Sequence, residues 1–311
     1  MSKYVVTGGA GFIGSHIVEH LTTAGHEVVV IDNLRTGFKK NLGQMKVQYS
    51  NTDIRDKQKI TELIDGASAV FHLAALVSVP ESIEKINECN SINAVGTINI
   101  LEAAKKTGNC KVVLSSSAAN YGNNPRSPKI ETMVPEPLTP YAITKLDGEH
   151  YLDMYRNEFE VPTTSLRYFN VFGPRQNPKS AYAAVVPIFI MNALQNKPLV
   201  IYGDGKQTRD FVYVKDVVSA NILAAGQGEG VYNVALGKGT SVLELAQNII
   251  EITNSKSAIE FLAQRPGDIK HSVAKTQRIN QIGFTPKFTI EQGLKETIAF
   301  YERQLVQQTN A

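Results

Sequence analysis

Tryptophan is absent from this chain of 311 residues, and cysteine occurs only twice, at Cys89 and Cys110. Two lone cysteines, neither in a Cys-x-x-Cys pair, cannot form the disulfide framework of a small secreted domain. No apolar run approaches the roughly 20 residues that a membrane-spanning helix needs, and no charged-then-apolar leader opens the chain. We therefore expect a cytoplasmic protein without a membrane partner.

An excess of charge of either sign is also lacking. The net charge is +3, and Lys and Arg are scattered among Asp and Glu. A nucleic-acid partner is therefore not expected. Hydrophobic residues make up 42% of the chain and charged residues 20%, which is the balance of an ordinary globular protein with a full core.

The first half of the chain alternates short apolar runs with amphipathic helical patterns. The predicted strands cover residues 4–7, 27–31, 47–50, 69–72, 111–115 and 163–167. The predicted helices cover residues 12–23, 57–64, 93–106 and 141–159. Unbroken apolar strands that alternate with helices indicate an α/β fold, a doubly wound parallel sheet with helices on both faces.

After about residue 172 the pattern loosens, and prolines interrupt it. Further helices are predicted over residues 181–195, 214–225, 242–253 and 290–307. We expect two domains: a nucleotide-binding domain over 1–172, to which a segment near 210–237 returns, and a smaller mixed α/β substrate domain over 173–311.

A glycine-rich turn joins the first predicted strand to the first helix. Gly8, Gly11 and Gly14 lie three residues apart, and glycine permits both a tight turn and a close approach to a pyrophosphate. The amides that open the helix favour an anion. Asp32 ends the second strand, where a carboxylate accepts from ribose hydroxyls and repels a 2′-phosphate. Together these features predict a Rossmann site for NAD rather than NADP.

Two further motifs predict an enzyme. Three serines, Ser115 to Ser117, end a strand, and Tyr141 and Lys145 form a Tyr-x-x-x-Lys pair on a helix. Positions i and i+4 share a helix face, so the ammonium is expected to lower the pKa of the phenol. A serine at the strand end and Tyr141 can then move a proton while the nicotinamide moves a hydride.

At this point the chain resembles the extended short-chain dehydrogenase/reductases and, within them, the nucleotide-sugar 4-epimerases. The motifs that carry the resemblance run nearly end to end: TGGAGFIGSH, DNLRTG, FHLAA, VPES, SSSAANYG, PYAITK, LRYFNVFGPRQ, GDGKQTRDFVYVKDV and RPGDIKHS. The resemblance implies NAD-dependent epimerisation at C4 of a UDP-hexose through a transient 4-keto sugar. It also implies a homodimer that pairs through the helices near 93–106 and 141–159.

The resemblance assigns roles to individual residues of this chain. Ser117, Tyr141 and Lys145 are the implied catalytic residues. The implied cofactor-binding residues are Gly8, Gly11, Phe12, Ile13, Gly14, Asp32, Asn33, Asp53, Ile54, Leu73, Ala74, Ala75, Asn93, Ser115, Tyr141, Lys145 and Tyr168. The implied substrate-binding residues are Ser78, Ser117, Tyr141, Asn170, Ala184, Val185, Tyr202, Arg209, Arg265, Asp268 and Ser272.

Several of these roles are specific. The resemblance places Asp53 and Ile54 beside the adenine, Tyr168 by the nicotinamide and Tyr202 near the uracil. The same resemblance implies that Asn170 and Arg209 contact the UDP diphosphate. It also implies that Arg265 holds a phosphate and that Asp268 holds a ribose.

The resemblance also bears on the sugar, through the position that Ser272 occupies. Relatives restricted to plain hexoses carry a bulky aromatic residue there. A serine leaves room for an acetamido group and offers it a hydroxyl, and Val77, Ser78 and Ala184 are likewise small or slim. We therefore expect UDP-GlcNAc and UDP-GalNAc as substrates beside UDP-glucose and UDP-galactose.

Three other functions are weighed against this hypothesis. Nucleotide-sugar dehydratases and decarboxylases typically carry an acid after the strand serines, whereas the residues here, 116–120, read SSAAN. A non-catalytic NAD-sensing protein can dispense with the Tyr/Lys pair, whereas this chain keeps it. The sequence HIVEH, from His16 to His20, matches one zinc-peptidase pattern, but no third ligand pattern follows it, so no metal site is expected.

Overall fold

The computed structural model describes residues 1–178, 184–264 and 270–309. Its strands are β1 Lys3–Thr7, β2 Glu27–Ile31, β3 Gln48–Ser50, β4 Ala69–His72, β5 Lys111–Ser117, β6 Thr163–Tyr168, β7 Asn170–Phe172, β8 Leu199–Tyr202, β9 Thr208–Arg209, β10 Phe211–Tyr213, β11 Gly230–Val234, β12 Thr240–Ser241, β13 Ile259–Leu262 and β14 His271–Ser272.

Its helices are α1 Phe12–Thr23, α2 Lys57–Ile64, α3 Val79–Glu84, α4 Ile86–Asn90, α5 Gly96–Thr107, α6 Pro140–Phe159, α7 Val185–Leu194, α8 Val214–Gly226, α9 Val242–Thr253, α10 Gln277–Gln281 and α11 Ile290–Thr309. A π-helical turn, Ser91–Val95, joins α4 to α5, and short 3₁₀ turns cover Lys39–Leu42 and Ala118–Tyr121. No helix of the described ranges is both long and apolar enough to cross a membrane.

Seven parallel strands form the central sheet, in the order β11-β6-β5-β4-β1-β2-β3. Alternate residues of β1 enter different cores, Val5 beneath α2 and α5 and Val6 beneath α1 and α8. Each strand is therefore buried on both sides, as the unbroken apolar runs predict. The predicted fold class, a doubly wound parallel sheet, is confirmed.

A third core lies apart from the two that cover the sheet. It joins α7, α9 and α11 with β8 and β10, and its members include Phe189, Leu245 and Leu294. Three small sheets accompany it, formed by β7 with β10, β8 with β13, and β9 with β12 and β14. We propose that this core belongs to the smaller domain, 173–311, while β11 returns to the first domain beside β6.

Most predicted elements agree with the structure to within a residue or two, but one region differs. The sequence predicts a single helix over 93–106, whereas in the structure a π-helical turn, Ser91–Val95, precedes α5, which begins at Gly96. The two short helices α3 and α4, which come before this turn, are not predicted. The predicted helix over 181–195 corresponds to α7, and residues 181–183 lie outside the described chain.

Candidate active site

A cavity of about 580 Å³ lies at the carboxyl edge of the sheet, beside β1 and its neighbours β2 and β4. Open parallel sheets bind ligands at such a point, where the strand order reverses. Many of the predicted site residues line it: Gly8, Gly11, Phe12, Ile13, Gly14, Asp32, Asn33, Asp53, Ile54, Leu73, Ala74, Ala75, Ser115, Ser117, Tyr141, Lys145, Tyr168 and Ala184. Val77 lines the cavity as well.

The glycine turn leaves no room for side chains. Gly8 has a φ of 70°, and a Cβ there would lie 2.8 Å from the backbone nitrogen of Ala74. A Cβ on Gly14 would lie 2.2 Å from the carbonyl oxygen of Gly8. Gly11 precedes α1, and no side chain of the described residues caps that helix. The first amides of α1 thus remain available for an anion such as a pyrophosphate.

Asp32 is held by the backbone on both sides. Its carboxylate accepts from the N–H of Ala10 at 2.9 Å and of Leu34 at 2.8 Å. Burial raises the pKa of Asp32, and these two hydrogen bonds oppose the shift. A Cβ on Gly37 would lie 2.9 Å from the same carboxylate, so the close packing fixes the position of this acid on the cavity wall.

The loop after β3 carries a second acid on the cavity wall, Asp53. Arg55 donates to both of its carboxylate oxygens, at 2.8 and 2.7 Å, and this contact is the main reason why the pKa of Asp53 is lowered. Asn33 donates to Asp53 at 3.2 Å. Two residues predicted to bind the cofactor therefore also bind each other.

A buried hydrogen-bonded chain supports the loop that contains Leu73 and Ala74. The hydroxyl of Thr7 accepts from both backbone N–H groups at 3.2 Å and lies 2.8 Å from Nδ1 of His72. Thr97 donates to a backbone carbonyl and lies 3.0 Å from Nε2 of the same ring. Thr7 therefore donates to Nδ1 and Nε2–H donates to Thr97, which assigns the tautomer. Burial lowers the pKa of His72 to about 3, so the ring stays neutral.

The three predicted catalytic side chains meet at one end of this cavity. Ser117 ends β5, while Tyr141 and Lys145 lie one turn apart on α6. Thr139 caps α6 by accepting from the N–H of Ala142 at 3.3 Å, and Pro140 follows it, so this helix begins where the sequence predicts. Lys145 donates to the carbonyl oxygen of Ser115 at 2.7 Å.

The predicted effect of Lys145 on Tyr141 does not hold in this structure. The ammonium lies 5.9 Å from the centroid of the phenol ring. Burial raises the pKa of Tyr141, and a hydrogen bond to Ser117 opposes that shift in part. Burial also lowers the pKa of Lys145 to about 8. Desolvation thus outweighs the attraction that the spacing of the two residues predicts.

Asn93 lies behind the cavity wall rather than on it. It is buried in the π-helical turn, where its side chain accepts from the N–H of Leu76 at 2.7 Å and donates to Thr144 at 3.0 Å. Leu76 follows the loop that lines the cavity, and Thr144 precedes Lys145. Asn93 therefore supports two parts of the site, although the sequence predicts a direct contact with the cofactor.

Among the predicted substrate residues, Ser117, Tyr141 and Ala184 line this cavity, while Asn170, Tyr202, Arg209 and Ser272 lie in the small sheets. β14 pairs with β9 so that Ser272 lies in register with Arg209, and Asn170 donates its N–H to the carbonyl oxygen of Asp210. Tyr202 ends β8. Two others begin helices, Ser78 as the cap of α3 and Val185 as the first residue of α7, while Arg265 and Asp268 lie outside the described residues.

Comparison with known proteins decides the family. The sequence profile of the NAD dependent epimerase/dehydratase family matches residues 4–235, which is well over half of the chain. The chain belongs to this family. The predicted relationship is thereby confirmed, and so is NAD as the cofactor.

Solved structures of the family superpose along nearly the whole chain. A UDP-N-acetylglucosamine 4-epimerase from Methanobrevibacter ruminantium is 41% identical, with a TM-score of 0.94 over 97% of this chain and 99% of that one. A UDP-glucose 4-epimerase from Thermus thermophilus, in complex with NAD, is 38% identical, with a TM-score of 0.89 over 96% and 99%. A UDP-N-acetyl-alpha-D-glucosaminuronate decarboxylase from Bacillus cytotoxicus is 37% identical over 96% of this chain and 97% of that protein.

Within this family member, a buried ion pair lies behind Ser117, the predicted catalytic serine. Arg167 on β6 donates to Glu149 on α6 at 2.9 and 2.7 Å, and their side chains are 4% and 2% exposed. Ser116 and Asn120 also donate to Glu149. Neither Arg167 nor Glu149 is among the predicted site residues, although Glu149 lies one turn beyond Lys145 on the same helix face.

Asp210 is also absent from the predicted site residues. It is buried and accepts from the N–H groups of Leu236, Gly237 and Ala274 at 2.8, 3.0 and 3.1 Å. Burial raises its pKa to about 6. Asp210 directly follows Arg209, the residue predicted to bind the diphosphate. Its carboxylate therefore holds the end of β9 against the backbone at Leu236 and Gly237 and at Ala274.

Proposed function

We propose that the protein is a UDP-hexose 4-epimerase that interconverts UDP-glucose and UDP-galactose and also accepts UDP-GlcNAc and UDP-GalNAc. The observation that carries the proposal is the meeting of Ser117, Tyr141 and Lys145 at one end of a cavity that begins at the glycine turn. The similarity of the whole chain to UDP-sugar 4-epimerases supports it.

The proton steps belong to residues of this chain. Held by the glycine turn and Asp32, NAD would supply a reversible hydride acceptor for C4 of the sugar. The oxygen of Tyr141 takes the proton of the sugar 4-hydroxyl and gives it back after the sugar has turned over. Ser117, which hydrogen-bonds Tyr141, can also bond the substrate oxygen and hold it in line for that transfer. Lys145 supplies positive charge to this end of the cavity.

The distribution of acids favours epimerisation over elimination or decarboxylation. Among the described residues that line the cavity, the acids are Asp32 and Asp53, which both lie toward the adenosine end. The nearest acid to the strand serines, Glu149, is buried and bound to Arg167. A dehydratase or decarboxylase needs an additional acid or base beside Ser117, and that side chain would have to come from elsewhere.

Because a decarboxylase named for a UDP-linked uronic acid is also among the relatives, the test includes UDP-glucuronic acid as a substrate of that class. The purified protein is incubated without added NAD with UDP-glucose, UDP-galactose, their N-acetylated forms and UDP-glucuronic acid, and the products are separated. We expect each of the first four sugars to yield its C4 epimer. Release of carbon dioxide from UDP-glucuronic acid without epimerisation of the others would favour the decarboxylase.

We also propose a cytoplasmic homodimer. Both cysteines are buried and unpaired, in keeping with a reducing compartment. Large apolar side chains are exposed on the helices by which the resemblance predicts pairing, among them Val95, Ile143 and Met154. Apolar side chains that cluster on one face of a soluble protein favour burial against a partner.

A further inference from the structure

Arg35 lies on the wall of the cofactor cavity, three residues after Asp32. At this place in a Rossmann fold, an acid and an arginine have opposite effects on the preference for NAD over NADP. An acid at the end of the second strand favours NAD, whereas an arginine nearby accommodates the 2′-phosphate of NADP. The chain therefore carries a residue for each cofactor, and the structure indicates why the arginine does not act for NADP.

Two glutamates already bind the guanidinium of Arg35. Nη1 donates to Glu88 at 2.6 Å, while Nη2 donates to Glu81 at 2.8 Å and to Glu88 at 3.2 Å. Lys85 donates to Glu81 from the other side at 3.0 Å. The side chains of Arg35, Glu81 and Glu88 are 28%, 24% and 34% exposed, so the group is partly shielded from water.

The ion pairs of Arg35 with Glu81 and Glu88 join parts of the chain that are distant in sequence. Glu81 lies in α3 and Glu88 in α4, which follow β4, whereas Arg35 lies in the loop after β2. A phosphate that used Arg35 would have to displace both carboxylates, whose charge-assisted hydrogen bonds occupy both terminal nitrogens. It would also be placed near two additional negative charges.

The other cations on this wall are engaged as well. Among the described residues that line the cavity, the remaining Arg and Lys are Lys145, which donates to the carbonyl of Ser115, and Arg175, which binds Glu19 at 2.7 Å. Arg35 is the cation closest in sequence to Asp32, and its release would change the charge at the ribose end most directly.

We propose that Glu81 and Glu88 determine cofactor specificity by sequestering Arg35, so that the protein rejects NADP by more than the repulsion from Asp32. The inference rests on the cofactor and is independent of which sugar nucleotide is the substrate. It is therefore tested by nucleotide binding rather than by epimerase activity.

The test compares dissociation constants of NAD and NADP for protein freed of nucleotide, by calorimetric titration. The double variant Glu81→Gln/Glu88→Gln keeps the shape of both side chains and removes their charge. We expect it to bind NADP at least about tenfold more tightly, the effect of one charge-assisted hydrogen bond, while its affinity for NAD changes by less than about twofold. Adding Arg35→Ala to the double variant should abolish that gain.

The controls separate sequestration from a general change of charge. Glu62→Gln breaks a surface ion pair with Lys59 at 2.9 Å and should leave both dissociation constants unchanged. The set is repeated with Asp32→Asn, in which NADP binding is expected to be measurable throughout. If the double variant does not fold, Glu88→Gln alone should give a smaller gain of the same sign.

Three results would overturn the proposal. One is an unchanged NADP affinity in the double variant in both backgrounds. Another is an equal gain in affinity for NAD and NADP. The third is a gain in NADP affinity that survives Arg35→Ala, because repulsion by the glutamates would then account for the whole effect.

Discussion

Tyr141 is subject to two opposing effects that together define its state. Burial raises the pKa of the phenol, while the hydroxyl of Ser117 stabilises its anion. The phenol therefore remains protonated in the protein's own field, and positive charge added to the cavity is needed to make it a base.

Replacing Tyr141 by Phe removes the oxygen that transfers the proton and preserves the ring. We expect kcat to fall by about 10²–10⁴-fold, the usual contribution of general acid–base catalysis, with bound NAD retained. Turnover is followed by product separation, and the nucleotide is identified after denaturation. Tyr151→Phe on the same helix is the matched control and should keep its activity; a Tyr141→Phe protein that works at the parent rate would disprove the assignment.

We propose that Ser272 limits the size of the sugar that the site accepts. It pairs in register with Arg209 at the edge of a small sheet, so a larger side chain can be introduced without disturbing a packed core. We expect Ser272→Tyr to lower kcat/KM for UDP-GlcNAc by tenfold or more relative to UDP-glucose, because bulk excludes an acetamido group more effectively than contacts reward it. Ser272→Ala should keep the parent's preference to within a few fold. The idea fails if the tyrosine variant retains the parent's ratio, or if the parent does not turn over UDP-GlcNAc.

At the scale of elements, helix α6 links the proposed catalytic residues to the sheet. Tyr141, Lys145 and Glu149 follow one another at intervals of four residues, so they share the face that packs on β5. The bond from Glu149 to Arg167 extends that contact to β6. The register between the phenol and the strand that carries Ser117 thus depends on a buried ion pair.

Breaking this pair should destabilise the protein strongly. Glu149→Gln leaves Arg167 buried without a counter-charge, for which we expect a loss of about 3 kcal/mol in the free energy of unfolding, measured with denaturant. The double variant Glu149→Met/Arg167→Met should recover most of this loss, because no unpaired charge remains. A loss below about 0.5 kcal/mol, typical of surface substitutions, would mean that the pair is dispensable.

What the sequence predicts about elements depends on how local the cause is. Helix α1 and strands β2 and β4 have the predicted bounds, because their apolar spacing and the glycines around them are local signals. The π-helical turn at Ser91–Val95 was missed, since Asn93 is held there by Leu76 and Thr144, which are 17 and 51 residues away. Contacts of that kind leave no periodicity.

The same distinction applies to the site. The glycine turn, Asp32 and the Tyr-x-x-x-Lys pair are visible as spacings. The partners of Arg35 and Arg167 lie 53 and 18 residues away, and their contacts exist only once the sheet is assembled. The sequence thus predicts which groups carry the chemistry, but not the charges that surround them.

At the scale of the whole molecule, several adjoining helices of the described chain carry exposed apolar side chains. Large apolar side chains of α3 to α6 and the π-helical turn are 36–56% exposed. They are Val79, Ile83, Ile86, Val95, Ile143, Met154 and Phe159. α3 and α4 both pack against α6, so these side chains belong to adjoining helices. A second copy of the chain would remove them from water.

Charge placed on these helices should therefore prevent association. We expect the parent protein to sediment as a dimer and Ile86→Asp/Ile143→Asp to sediment as a monomer at micromolar concentration. Val306→Asp, at an equally exposed apolar residue of α11, should remain a dimer. A monomeric parent, or a dimeric double variant, would refute this mode of pairing.

The position of β11 has a consequence for how the protein is made. β11 covers the edge of β6, yet β6 ends at Tyr168 and β11 begins only at Gly230. A ribosome that has released β6 must therefore still synthesise α7, β8 and α8 before that edge can pair. During this interval the nascent sheet exposes an unpaired strand, which other chains can join. Folding of the nucleotide-binding sheet is thus completed only after much of the chain that follows it has been translated.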